Sequence, residues 1–107
     1  MKTIYEYFDF RKYLSDLYQD MRKRDSRFTH RFIAEKIGFD SGYFSRILKG
    51  TRTCTPLFTE GFIKLFRMRK VEAEYFRVLI AFNQAKNHTQ KQEFLEQLNS
   101  LRRPIAH

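Results

Sequence analysis

The chain has 107 residues, of which 42% are hydrophobic and eighteen are aromatic, twelve Phe and six Tyr. That composition suits one domain with an ample core and excludes a disordered chain, and no apolar run approaches the ~20 residues that a bilayer-crossing helix needs. The net charge is +9 and unevenly spread: residues 1–20 hold three bases and four acids, residues 21–52 nine and three, and residues 53–107 nine and five. The single cysteine, Cys54, excludes a disulfide framework and a Cys-based metal site and makes a reduced cytosolic setting the default. The opening MKTIYEYFDF mixes acids with aromatics and lacks the apolar core of a signal peptide.

Every segment reads as helix. Thr3 and Glu6 fit a capping box, and Asp9 offers a second start. Phe10, Tyr13, Leu14, Leu17, Tyr18 and Met21 then recur at helical spacing, a stripe that ends in Arg22, Lys23 and Arg24, cations suited to the negative end of a helix dipole. Thr29 is placed to cap a second helix through Ile37, and Asp40 or Ser41 a third through about Lys49. Thr55 caps a fourth helix with Pro56 at its first position, where no backbone N–H is needed; it carries Leu57, Phe58, Phe62, Leu65 and Phe66. A fifth spans about Val71 to Ala85, with Tyr75, Phe76, Val78, Leu79 and Phe82 facing inward. A sixth spans Thr89 to Leu101, opened by a Thr89/Gln92 capping box and bearing a narrow stripe, Phe94, Leu95, Leu98 and Leu101. Residues 102–107 read as a frayed tail.

The most specific pattern lies in AEKIGFDSGYFSRILKG, Ala34 to Gly50. Ile33, Ile37, Phe44 and Ile47 fall on the inner faces of two short helices, and Phe39 plugs the turn between them. Ala34 is small where two backbones must approach, and Gly38 ends the first helix where the chain turns through a positive φ. Helices joined this tightly cross at a steep angle, the helix-turn-helix arrangement, whose second helix fits a DNA major groove.

FTHRFIAEKIGFDSGYFSRILKGTR, through Phe28, Thr29, Ile33, Ala34, Gly38, Phe44, Ile47 and Gly50, resembles the phage-repressor and Cro class of helix-turn-helix proteins. The turn that follows, Pro56 and the next amphipathic helix are similar to that class as well. The stretches DFRKYLSDLYQD, EYF, FNQAK and FLEQLNSL also resemble a narrower group of uncharacterised bacterial proteins, with a repressor-like N-terminal segment before a longer region of unknown role. The resemblance implies an all-α fold, a compact bundle of five to six helices containing a repressor-like helix-turn-helix. It implies a cytoplasmic DNA-binding transcriptional regulator without cofactor or metal, residues 1–107 forming one domain at the N-terminal end of a longer protein. The chain departs from the class at Leu48, where an acid is frequent, and at Phe32, where a polar residue is usual. Both changes point to added packing against the first, fourth or fifth helix.

With the third helix in a groove, Ser41, Gly42, Tyr43, Ser45 and Arg46 face base edges. Arg46 is the main reader, because its guanidinium fork matches guanine O6 and N7; its other role is a surface salt bridge. Ser41 either meets a base or phosphate or caps the helix. Gly42 allows close approach to the duplex or marks a loose first turn. Tyr43 either touches a sugar or a thymine methyl or packs on Phe32. Phosphates fall to His30, Arg31, Lys49, Thr51 and Arg52, aided by the free N–H groups that open the second helix. The orientation of Arg22, Lys23, Arg24 and Arg27 cannot be read from spacing.

One such helix covers about half a site, so pairing is expected, and Phe94, Leu95, Leu98 and Leu101 form either a homodimer surface or the last layer of a core. The rival to double-stranded DNA is a protein partner docked on the third or first helix. RNA comes third, because most aromatics fall on core stripes. Catalysis is not expected: His30, His88 and His107 share no ligand spacing, Cys54 has no obvious base, and there is no glycine-rich phosphate loop.

Overall fold

A computed structural model describes residues 2–103, whose regular elements are all helices, with no strand among the described residues. After one 3-10 turn (Ile4–Glu6) come α1 (Phe10–Arg24), α2 (His30–Ile37), α3 (Tyr43–Lys49), α4 (Pro56–Leu65), α5 (Lys70–Gln84) and α6 (His88–Arg102). The all-α fold with six helices is as expected. Of the tail expected to fray, Arg102 closes α6 and Arg103 follows as its cap; residues 104–107 lie outside the described residues. The chain divides into two compact units, Arg11–Arg67, and Lys2–Phe10 together with the chain from Met68 onward.

Both expected starts near the N-terminus are used, for different elements. Thr3 N–H donates to Glu6 Oε2 at 3.1 Å, closing the 3-10 turn. The chain is extended again at Tyr7, and α1 begins at Phe10, whose N–H donates to Asn83 Oδ1 at 2.7 Å. In the same second unit Asn83 Nδ2 donates to Phe8 O at 2.8 Å, and Tyr75 Oη donates to Tyr7 O at 2.8 Å. These bonds tie residues 7–10 to α5 over a core of Ile4, Phe10, Tyr75, Phe76, Leu79 and Leu98.

Two helix starts differ from expectation. Asn87 Oδ1 accepts the Gln90 N–H at 2.9 Å, so α6 opens at His88 and Thr89 lies inside its first turn, not at its cap. Asparagine with extended backbone outranks threonine two residues later for this task. At α3, Asp40 holds the turn: its Oδ1 accepts the Gly42 N–H at 3.0 Å and its carbonyl accepts the Tyr43 N–H at 3.1 Å. The cap position itself is Gly42, without a side-chain bond, so α3 starts two residues after Ser41. Thr29 and Thr55 cap as expected, accepting from Phe32 N at 3.1 Å and Phe58 N at 3.2 Å.

In the first unit Gly38, at φ 96°, closes α2, and the N–H groups of Gly38 and Phe39 both return to Ala34 O, at 3.1 and 2.9 Å. Ala34 and Ile33 are wholly buried on α2, Phe44 and Ile47 on α3, and Phe58 and Phe62 on α4. The rings of Phe44, Phe58 and Phe62 lie 6.1–6.2 Å apart pairwise. Leu57 is not part of this core, being 74% exposed. Phe82 of α5 is only half-buried, with Lys91 Nζ 5.3 Å above its ring. Phe32 is half-buried, packed on Phe28 at 5.1 Å and lying under Lys36.

A Cβ on Gly61 would overlap Ile37 Cγ2, so α4 approaches α2 by leaving a side chain out. Gly61→Ala should therefore destabilise the protein by about 1–3 kcal/mol through overpacking, even though alanine favours a helix by about 1 kcal/mol over glycine. Thermal or denaturant unfolding checks this, and pairing it with Ile37→Ala should recover part of the loss.

Candidate nucleic-acid interface

The first unit holds thirteen of the Lys and Arg residues against six acids. Five of those acids are engaged in ion pairs: Asp16 with Lys12, Asp20 with Arg24, Asp25 with Arg27, Glu35 with Arg31, and Asp40 with Arg46. Among the described residues Arg22, Lys49 and Arg52 have no acid partner. Of these, Arg22 lies on the last turn of α1, Lys49 at the end of α3 and Arg52 in the loop after it; Lys23, Lys36, Lys64 and Arg67 of the same unit form none of these pairs either.

The burial of Phe44 and Ile47 settles which face of α3 points outward: Ser41, Arg46, Lys49, Thr51 and Arg52 are exposed. The end of the helix is fixed by a contact that spacing alone did not reveal. Arg11, the second residue of α1, donates Nε–H to Ile47 O at 2.8 Å, satisfying a carbonyl at the negative end of the α3 dipole. Gly50, at φ 82°, then turns the chain, and Thr51 closes it with its N–H and Oγ donating to Arg46 O at 2.9 and 3.2 Å.

The expected base-facing residues separate into two groups. Tyr43 is turned inward and half-buried, its ring 4.5 Å from Phe39 and 5.1 Å from Phe58, with Oη donating to Thr53 O at 3.0 Å. Ser45 is half-buried, its Oγ 2.7 Å from His30 Nδ1. Ser41, Gly42 and Arg46 make the outer edge. The Arg46 guanidinium lies over Gly42, where a Cβ would come within 3.1 Å of Nη2, and Nη1 pairs with Asp40 Oδ1 at 3.2 Å. Gly42 thus makes room for an arginine folded along the first turn of its own helix. Asp40 holds the fork there, although the pair is exposed on both sides and contributes little to stability.

The expected phosphate-facing residues divide as well. Lys49, Thr51 and Arg52 sit on the open end of α3, whereas Arg31 is paired with Glu35 one turn along α2 at 2.9 Å. His30 is half-buried, its ring 4.3 Å from Tyr18 and 5.3 Å from Phe44. Burial above all, then the charges of Arg22 and Lys49, hold its pKa below the ordinary histidine value. Arg22 itself donates Nη1–H to Tyr18 Oη at 2.7 Å, which places it on this side of the unit. Spacing along α1 gave no signal for this orientation, which the bond to Tyr18 sets. Cys54, 3% exposed with Sγ 3.3 Å from Thr59 Oγ1, has its thiol pushed up to about 11 by burial. No group of three or more His, Cys, Asp or Glu among the described residues is placed to hold a metal ion.

Because the folded state disfavours protonated His30, its contribution is fully present above the unfolded pKa of about 6.5 and is lost as pH falls through the lower folded value. The melting temperature should fall between about pH 7 and 5, and His30→Gln should flatten that dependence. Asp25, held low by Arg27, acts only at pH values below the ordinary carboxylate range and leaves this window clear. No family model, curated protein or solved structure matches the chain.

Proposed function

We propose that the first unit is the DNA-binding module of a cytoplasmic transcriptional regulator, and not an enzyme, with α3 lying in the major groove of duplex DNA. The observation that carries this reading is the outer edge of α3, where Arg46, Lys49 and Arg52 stand exposed beside a sealed aromatic inner face. Arg46 reads a base, with Ser41 and Gly42 beside it at the helix start. Lys49, Thr51 and Arg52 grip phosphates, supplying the charge that gives nucleic-acid binding its salt dependence. Tyr43 and Ser45 support the helix from within. The resemblance to repressor-like bacterial proteins accords with this reading, as does a unit with more than twice as many bases as acids.

Pairing of two copies through Phe94, Leu95, Leu98 and Leu101 has less support, because Leu98 is wholly buried and the other three are half-buried within the second unit. A protein-binding role is the second reading. It is favoured by Leu57, which is 74% exposed beside an apolar groove lined by Ile37, Ile63 and Leu65.

Selection from a random duplex library, followed by titrations at several salt concentrations, tests the main reading. Arg46→Ala should cost roughly 1–3 kcal/mol on the selected sequence and relax preference at one position. Arg52→Ala should weaken every sequence alike and lower the salt slope by about 1. Failure to bind random duplex even at low salt would turn the assignment toward the protein-binding reading.

A further inference from the structure

Three helices of the first unit converge beside the outer edge of α3. From α1 come Tyr18 and Arg22, joined by the 2.7 Å bond between Arg22 Nη1 and Tyr18 Oη. From the first position of α2 comes His30, its ring tilted at 54° against Tyr18. From α3 come Ser45, 2.7 Å from His30 Nδ1, and Lys49, one helical turn farther along. The neighbouring acids are spent elsewhere, Asp20 on Arg24, Asp25 on Arg27 and Glu35 on Arg31. The groups facing His30 are therefore Tyr18 and Arg22 from α1, and Phe44, Ser45 and Lys49 from α3, with no acid among them.

We propose that Arg22, His30 and Lys49 form one phosphodiester site, and that His30 takes up a proton from solvent when a DNA phosphate enters it. This rests on the DNA-binding reading and adds α1 and a proton to it. Two cations without acid partners, acting on a half-buried imidazole, make a place where one more positive charge is unwelcome until an anion arrives. A phosphate reverses the balance: its charge offsets Arg22 and Lys49 and favours the imidazolium. Protonation makes both ring nitrogens donors, so Nδ1–H donates to Ser45 Oγ while Nε2–H becomes available to a phosphate oxygen. The free protein already disfavours protonated His30, which is the starting condition this coupling needs. DNA affinity then rises as pH falls between the phosphate-bound and free pKa values, by at most about tenfold per pH unit for a single proton.

The test follows the His30 ring by NMR across a pH titration of the whole chain, free, with random duplex DNA, and with inorganic phosphate. Duplex should raise the His30 pKa, and affinity for duplex should be several-fold higher near pH 6 than near pH 8. His30→Gln should remove that pH dependence while circular dichroism shows the fold kept. In the free protein Arg22→Ala and Lys49→Ala should each raise the His30 pKa, which needs no DNA to observe. Duplex binding with an unmoved His30 pKa, or with the same pH dependence in His30→Gln, would overturn the proton-coupled site and leave the DNA-binding reading standing. Absence of duplex binding would overturn that reading; a His30 pKa raised by inorganic phosphate would then retain an anion site, and one left unmoved would end both.

Discussion

Phe44 is the residue on which the rest of the first unit depends. Its wholly buried ring meets Tyr18 of α1 at 6.1 Å, His30 of α2 at 5.3 Å, and Phe58 and Phe62 of α4 at 6.2 and 6.1 Å. A helix of seven residues is too short to be stable alone. α3 exists because this side chain and Ile47 are enclosed by three other helices. Burying those two residues also fixes the rotation of α3 about its axis, and with it which polar residues face out.

That rotation divides the polar residues of α3 by role. Ser45 and Tyr43 are turned far enough inward to bond His30 and the Thr53 carbonyl, so they hold the helix in place. Arg46 and Lys49 lie on the open side. Gly42 and Asp40 shape the first turn so that the Arg46 fork lies along it. Arg11 secures the other end through Ile47 O, using a charge-assisted bond that is half-buried rather than lost to solvent. The proposed DNA-reading edge is thereby held at both ends, by Asp40 at the start of α3 and by Arg11 at its close.

The second unit is organised differently. Its α5–α6 pair buries Tyr75, Phe76, Leu79 and Leu98, and residues 7–10 are held to α5 by side-chain bonds from Asn83 and Tyr75. Its excess of bases over acids is small, eight against six, compared with thirteen against six in the first unit. The uneven charge seen along the chain therefore coincides with the unit that carries α2 and α3.

What the sequence determined by itself were the features set by neighbours along the chain. The helical stripes, the caps at Thr29 and Thr55, the glycine turn at Gly38 and the inward set Ile33, Ala34, Phe44 and Ile47 all follow from local backbone geometry and 3.6-residue periodicity. Local reasoning failed where two caps competed, as at Asn87 and Thr89, because a hydrogen bond formed by either residue gives the same pattern of residue types. The tertiary structure alone decided which charges remain uncompensated. Arg31 and Arg46 find carboxylates while Arg22, Lys49 and Arg52 do not, and that outcome depends on rotamers and on distances between helices. It also decided that Tyr43 supports rather than reaches out, that Leu57 is exposed, and that Arg11 caps a helix thirty-six residues away. Spacing within a helix is a property of the chain, whereas the meeting of side chains from different helices is a property of the packed core that orients them.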